Sequence, residues 1–215
     1  RTYVESGNTL CGPFVGKVMA SALAMGESNA CMKRIVAAPT AGACGVLPAV
    51  LVNYQKEKGT ADEQIVRALY TAAGIGQVVA ARAYIAGASG GCQAEIGTAS
   101  AMAAGALTAL GGGTPSQITH AAAMALKNLL GLVCDPVGGL VEVPCVKRNV
   151  IGSVNALSAA DMALAGIISR IPPDQVIDAM REVGDQMHPS LRETGQGGLA
   201  NTPAAREWCA AQEEE

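Results

Sequence analysis

Apolar residues recur along most of this chain at the spacing of helix faces rather than of strands. Ile65, Val66, Leu69, Tyr70 and Ala73 form one such stripe, since side chains three and four residues apart share a helix face. Thr60-Ala61-Asp62-Glu63 precedes it and reads as a capping box, in which the Thr hydroxyl accepts the Glu63 amide and the Glu63 carboxylate reaches back. Thr114-Pro115-Ser116-Gln117 is a second box with Pro at the first helical position, and its helix is expected to run to Leu130 and stop at Gly131. Pro172-Pro173-Asp174 opens a further helix, expected through Val183 with Gly184 as its C-cap. The pattern also predicts helices over 12–24, 45–57, 93–110 and 146–168. Strand signals are thin: 34–37 and 140–143 read as short extended pieces, and no βαβ alternation occurs. The expectation is an all-α, close-packed Ala/Gly-rich helical domain in which small-residue loops form the site.

Composition sharpens this picture. Of 215 residues, half are hydrophobic but only 3% are aromatic, and 26 are glycine. Small side chains of this kind let helix backbones approach closely. Charged residues make up 15%, below the usual share of about a quarter, which implies a surface partly covered by partner subunits. A net charge of −3 without a basic stripe argues against nucleic acid. The most apolar windows are 98–110, too short to cross a bilayer, and 151–168, which carries Asn155 and Asp161. Both read as buried helices, so no membrane is implied. With no secretory signal pattern, seven cysteines argue for a reducing compartment, the cytoplasm, over a disulfide framework. One domain over 1–215 is expected, with 201–215 as a flexible tail ending in a solvated acidic run. The chain opens on Arg1 without a methionine, so the further expectation is that upstream sequence is missing.

Three cysteines share one setting. Gly90-Gly91-Cys92, Cys134-Asp135-Pro136 and Pro144-Cys145 each stand where a glycine- or proline-bearing loop meets a helix. Thiols so placed can converge, and three ligands leave a metal centre open for chemistry. A helix N-terminus behind Cys92 and Cys145 is expected to lower the thiol pKa. The separations, 42 residues (92 to 134) and 11 (134 to 145), match no zinc ribbon, redox pair or ferredoxin run. Spacing therefore leaves open whether these are metal ligands or small buried hydrophobes. Cys11, Cys31, Cys44 and Cys209 read as structural or incidental. His120 reads as a packed helix residue and His188 as a surface one, and neither a Gly-x-Ser-x-Gly elbow nor a His-Glu-x-x-His occurs. The basic pairs Lys33-Arg34 and Lys147-Arg148 read either as helix-end charge or as carboxylate binders. Gly74-x-Gly76 lacks the preceding strand of a dinucleotide motif.

Four stretches carry a resemblance that runs in order along nearly the whole chain. They are Ala38-Pro39-Thr40-Ala41-Gly42-Ala43-Cys44-Gly45, Gly91-Cys92-Gln93-Ala94-Glu95-Ile96-Gly97, the segment from Cys134 to Cys145 continuing into Lys147-Arg148-Asn149, and Arg192-Glu193-Thr194-Gly195-Gln196-Gly197-Gly198-Leu199-Ala200. Together they resemble the α chain of bacterial iron–sulfur L-serine dehydratase. The resemblance implies an all-α catalytic domain whose Cys92, Cys134 and Cys145 hold a 4Fe–4S cluster, with no pyridoxal phosphate. One iron, lacking a cysteine, would act as Lewis acid on the β-hydroxyl of L-serine, giving pyruvate and ammonia. It also implies a β chain in a homo- or hetero-oligomer. In some fused relatives a C-terminal cysteine occupies the open iron; six residues follow Cys209, so that role is not assigned to it. The loops of Thr40, Gly42 and Ala43 and of Ser89, Gly90 and Gly91 are the expected substrate binders. The catalytic base is unknown, and the hypothesis is that the β part supplies it. An iron–sulfur cysteine desulfidase and a non-catalytic helical subunit are the competing readings.

Overall fold

A computed structural model describes residues 1–213. Among the described residues ten α-helices follow in order: α1 Thr2–Glu5, α2 Gly12–Ala30, α3 Val46–Lys58, α4 Asp62–Arg82, α5 Gly87–Gly90, α6 Thr98–Leu110, α7 Pro115–Lys127, α8 Cys145–Leu164, α9 Pro173–Gln186 and α10 Pro203–Glu213. A π-helical turn, Gln93–Gly97, leads into α6. Among the described residues there is no strand, as the all-α reading expected; 34–37 and 140–143 are irregular chain. No described helix is long and apolar enough to cross a membrane.

Helix α6 is the centre of the molecule. Every residue from Thr98 to Thr108 is buried, and α3, α4, α7 and α8 pack around it. Alanine, glycine and serine on these faces bring the axes close. At Gly152 of α8 a β-carbon would stand only 2.9 Å from Ile96 Cγ2 and 3.0 Å from Val46 Cγ2. Close axes leave room for polar ties in place of bulky packing. Ser100 Oγ donates to the Gly152 carbonyl at 2.8 Å, while Asn155 Nδ2 donates to Ser100 Oγ and to the Ala125 carbonyl, each at 2.8 Å. Asn155 thus links α6, α7 and α8, and each such buried bond contributes about 1 kcal/mol net.

Helix termini show which local signals survive tertiary competition. The box at Thr114 forms: the Gln117 amide donates to Thr114 Oγ1 at 3.3 Å, and Gln117 Oε1 accepts the Thr114 amide at 2.9 Å. That helix ends at Lys127, and turns carry the chain on to Gly131. The box expected at Thr60 does not form. Ala61 is the N-cap of α4 without a side-chain bond, because Asp62 is taken by Gln55 Nε2 of α3 at 2.6 Å and Glu63 by Arg67 at 2.7 Å. Gly184 is no C-cap either. It lies inside α9, and a β-carbon there would come within 3.0 Å of Gly90 Cα, so it permits close packing on α5. Helix α8 stops at Leu164 with Ile167 and Ile168 exposed, so the run 151–168 is not wholly buried.

The stretch expected as a tail is helical over Pro203–Glu213, with the Ala205 amide donating to Thr202 Oγ1 at 3.3 Å. This helix rests on the turns at 137–139 and 198–201. Of its acidic end, Glu214 and Glu215 lie outside the described residues. The one strand-like pairing among the described residues is a parallel bridge between Cys134 and Arg192. There the Cys134 amide donates to the Leu191 carbonyl at 2.8 Å, and the Glu193 amide to the Cys134 carbonyl at 2.7 Å.

Candidate functional site

Cys92 stands before the π turn, Cys145 is the first residue of α8, and Cys134 sits in the bridge to the 191–193 segment. All three are free and buried, at 3%, 9% and 6% exposure. Each lies within charge-interaction reach of the others, so the fold does bring the three loop thiols together. Gly87 makes room for one of them, since a β-carbon there would lie 2.7 Å from Cys134 Sγ. Of the remaining cysteines, Cys44 is buried against the Met25 carbonyl, Cys11 and Cys31 are exposed, and Cys209 is half-buried beside Gly138.

A polar frame fixes the segments that carry these thiols. Arg148, one turn into α8, donates from Nη1 to the Val133 carbonyl at 2.7 Å and from Nη2 to Asp135 Oδ1 at 2.8 Å. Its guanidinium also approaches the Cys92 sulfur. The ion pair is buried, with side chains only 14% and 4% exposed. Asp135 completes its bonding by accepting the Leu199 amide at 2.8 Å. Arg148 therefore ties the Cys134 segment to the helix that Cys145 begins, and reaches toward the third thiol. Its neighbour Lys147 is exposed, as are Lys33 and Arg34. Asn149 does the same for the 38–45 loop: it accepts the Gly45 amide at 2.8 Å and donates to the Gly42 and Cys145 carbonyls at 2.8 and 3.0 Å. Gln93 donates to the Gly90 and Met180 carbonyls at 2.9 and 3.0 Å and accepts the Gly131 amide at 2.9 Å, which joins α5, α9 and the loop before Cys134.

The thiol pKa values run against the sequence expectation. Burial pushes Cys92 up to about 12 and Cys145 up to about 11, and it pushes Cys134 up further, with the neighbouring thiols adding to the rise. Desolvation outweighs the helix N-termini and Arg148. Thiols crowded in this way need a cation among them to become thiolates together, and a bound metal supplies that charge. Among the described residues no group of three or more His, Cys, Asp and Glu side chains is arranged to hold a metal ion. A cubane iron–sulfur cluster makes no such demand, because each thiolate binds a different iron. A set of three soft sulfur donors fits that group on chemical grounds.

Glu95 is the residue that sequence reasoning missed. It projects from the π turn and lies within charge reach of all three thiols. Burial raises its pKa, opposed by the Thr40 hydroxyl and the Gly87 amide facing it. Thr40 Oγ1 is buried and has no aligned hydrogen-bond partner, so it faces the carboxyl without being satisfied by it. Gly42 packs its α-carbon against Glu95 Oε1 so closely that a β-carbon would overlap it. The signal available in the sequence was a lone carboxylate inside an apolar helical run, since unpaired acids are seldom even half-buried without cause. Glu193, also near the thiols, is exposed and adopts φ +64°.

The expected substrate loops divide by role. Thr40 and Gly42 face Glu95, while Ala43 is wholly buried in the core. Gly90 packs on Tyr84 and Ala94, Gly91 on Met187 and the Leu132 carbonyl, and Ser89 is exposed. His188 is exposed and caps a turn, its Nδ1 paired with Ser190 Oγ at 2.8 Å. His120 has a buried, unpartnered Nδ1 within α7.

The family model described as serine dehydratase alpha chain matches residues 2–200. A probable L-serine dehydratase alpha chain of Bacillus subtilis is 56% identical over 207 residues, covering 96% of this chain and 69% of that protein. The L-serine dehydratase alpha chain of Peptoniphilus asaccharolyticus is 51% identical over 200 residues, covering 93% and 68%. An L-serine dehydratase of Mycobacterium bovis is 50% identical over 184 residues, which are 83% of this chain but 40% of that longer protein.

Proposed function

This chain belongs to the serine dehydratase alpha chain family, and on that premise we propose that it dehydrates L-serine as the α chain of a two-chain enzyme. The α C–H and β C–O bonds break, a C=C bond forms and water leaves. The resulting aminoacrylate tautomerises and takes up water to release pyruvate and ammonia. The observation that carries this reading is that Cys92, Cys134 and Cys145 are all buried and within charge reach of one another in a chain of this family.

A 4Fe–4S cluster held by these cysteines would supply, at the iron without one, a Lewis acid for the departing hydroxyl. The chain's own residues define what surrounds it. Arg148 holds the Cys134 segment against α8 and brings a charged donor toward Cys92. Asn149 fixes the 38–45 loop over the same helix, so that Thr40 presents a free hydroxyl beside Glu95. Neither histidine is set among the thiols' charged neighbours: His188 caps an exposed turn and His120 is packed in α7. The scheme assigns the base that takes the α-proton to the partner β chain.

The test is pyruvate formation from L-serine by anaerobically reconstituted protein, with and without the β chain. Pyruvate from the two chains together and little from this chain alone is expected. Full activity of this chain alone would remove the partner base from the scheme. Sulfide release from L-cysteine without turnover of L-serine would replace the dehydratase reading with the desulfidase one.

A further inference from the structure

Glu95 is a half-buried carboxyl group within charge reach of the three thiols, without a cation of its own. The ion pairs among the described residues do not include it. The guanidinium nearest the thiols, Arg148, is already spent on Asp135 and the Val133 carbonyl. Burying an anion without a partner is costly, and such a group is retained where something else supplies the charge. Its surroundings are also shaped. The Thr40 hydroxyl and the Gly87 amide face the carboxyl, and Gly42 closes on it with no room for a side chain. The π turn that bears it is a type of irregularity that recurs at functional sites.

L-Serine offers three groups, and the proposed metal chemistry accounts for the hydroxyl. Of the two that remain, the carboxylate is an anion that a second carboxylate would repel, and the α-ammonium is a cation with three donors. We infer that Glu95 receives the substrate α-ammonium, with the buried Thr40 hydroxyl beside it as a second contact, so that Glu95 selects amino acids over hydroxy acids at this site. The inference rests on the dehydratase reading above and deepens it. A role as the α-proton acceptor fits less well. Burial and the nearby Glu193 raise the pKa of Glu95 and the two facing donors oppose them; an arriving ammonium supplies the counter-charge that a proton acceptor's role would leave missing. Glu193 is the rival acceptor, but it is exposed, and its charge is shared with solvent.

The experiment compares wild type, Glu95→Gln and Glu95→Asp as two-chain holoenzymes, each assayed for iron and sulfide. The probes are L-serine as substrate and 3-hydroxypropanoate, which is serine without its amino group, as competitive inhibitor. Glu95→Gln is expected to keep its iron and to raise KM for L-serine about 10- to 100-fold, the loss of one charge-assisted hydrogen bond. Inhibition by 3-hydroxypropanoate should be unchanged, and Glu95→Asp should fall between wild type and Glu95→Gln. An unchanged KM with a fallen kcat would overturn the inference, and so would equal weakening of both ligands. If Glu95→Gln loses iron, Glu95→Asp decides: raised KM with unchanged inhibition supports the inference, and wild-type behaviour or loss of iron overturns it. Wild-type holoenzyme that makes no pyruvate would instead refute the underlying dehydratase reading.

Discussion

A thiol buried away from water is hard to ionise, and Cys92, Cys134 and Cys145 are all held in that condition. Such a cluster makes sense around a positive centre. Replacing any of the three by Ala is expected to abolish iron binding and activity together, whereas exposed Cys31→Ala should leave both intact; iron assay beside turnover checks this. Arg148→Met would leave Asp135 buried and unpaired, which costs about 3–5 kcal/mol, so both the melting temperature and iron retention should drop. Arg148→Lys should recover only part, since an ammonium lacks the fork that spans Asp135 and the Val133 carbonyl. The loop setting the three thiols share was legible in the sequence, since Cys92 follows Gly91, Cys145 follows Pro144 and Cys134 stands two residues before Pro136. Glu95 was not, because what gives it meaning is Thr40 and Gly42, brought in from a distant loop.

At the scale of elements, the site depends on Asn149 as a clamp between α8 and the 38–45 loop. Asn149→Leu removes three hydrogen bonds and strands the Gly45 amide, an expected loss of about 2–4 kcal/mol in a urea melt. Thr114→Ala should cost about 1 kcal/mol by the same measurement, with activity retained, because that cap is remote from the thiols. The comparison with Thr60 shows when a local motif can be trusted. At Thr114 both partners of the box are free to meet. At Thr60 the intended partners are claimed by Gln55 and Arg67, and no reading of four residues could reveal that competition.

Across the whole molecule, the all-α fold was readable from helical periodicity and from small residues where a sheet protein would place aromatics and β-branched runs. What those small residues enclose was less readable. The core around α6 and the thiol pocket meet at Ile96, a residue of the π turn that packs on Gly152. Gly152→Val is therefore expected to destabilise the chain by about 1–3 kcal/mol through overpacking and to weaken iron retention as well, which a melt followed by iron assay would show. Leu10 is fully exposed and Met32 nearly so. The central claim remains the three-cysteine centre. Its most direct test is anaerobic iron and sulfide analysis of the wild-type chain and of Cys134→Ala. About four of each per wild-type chain, in a brown protein, with both lost in the variant, is the expected result. A colourless zinc-bearing wild type, or a Cys134→Ala variant with its full iron content, would contradict it.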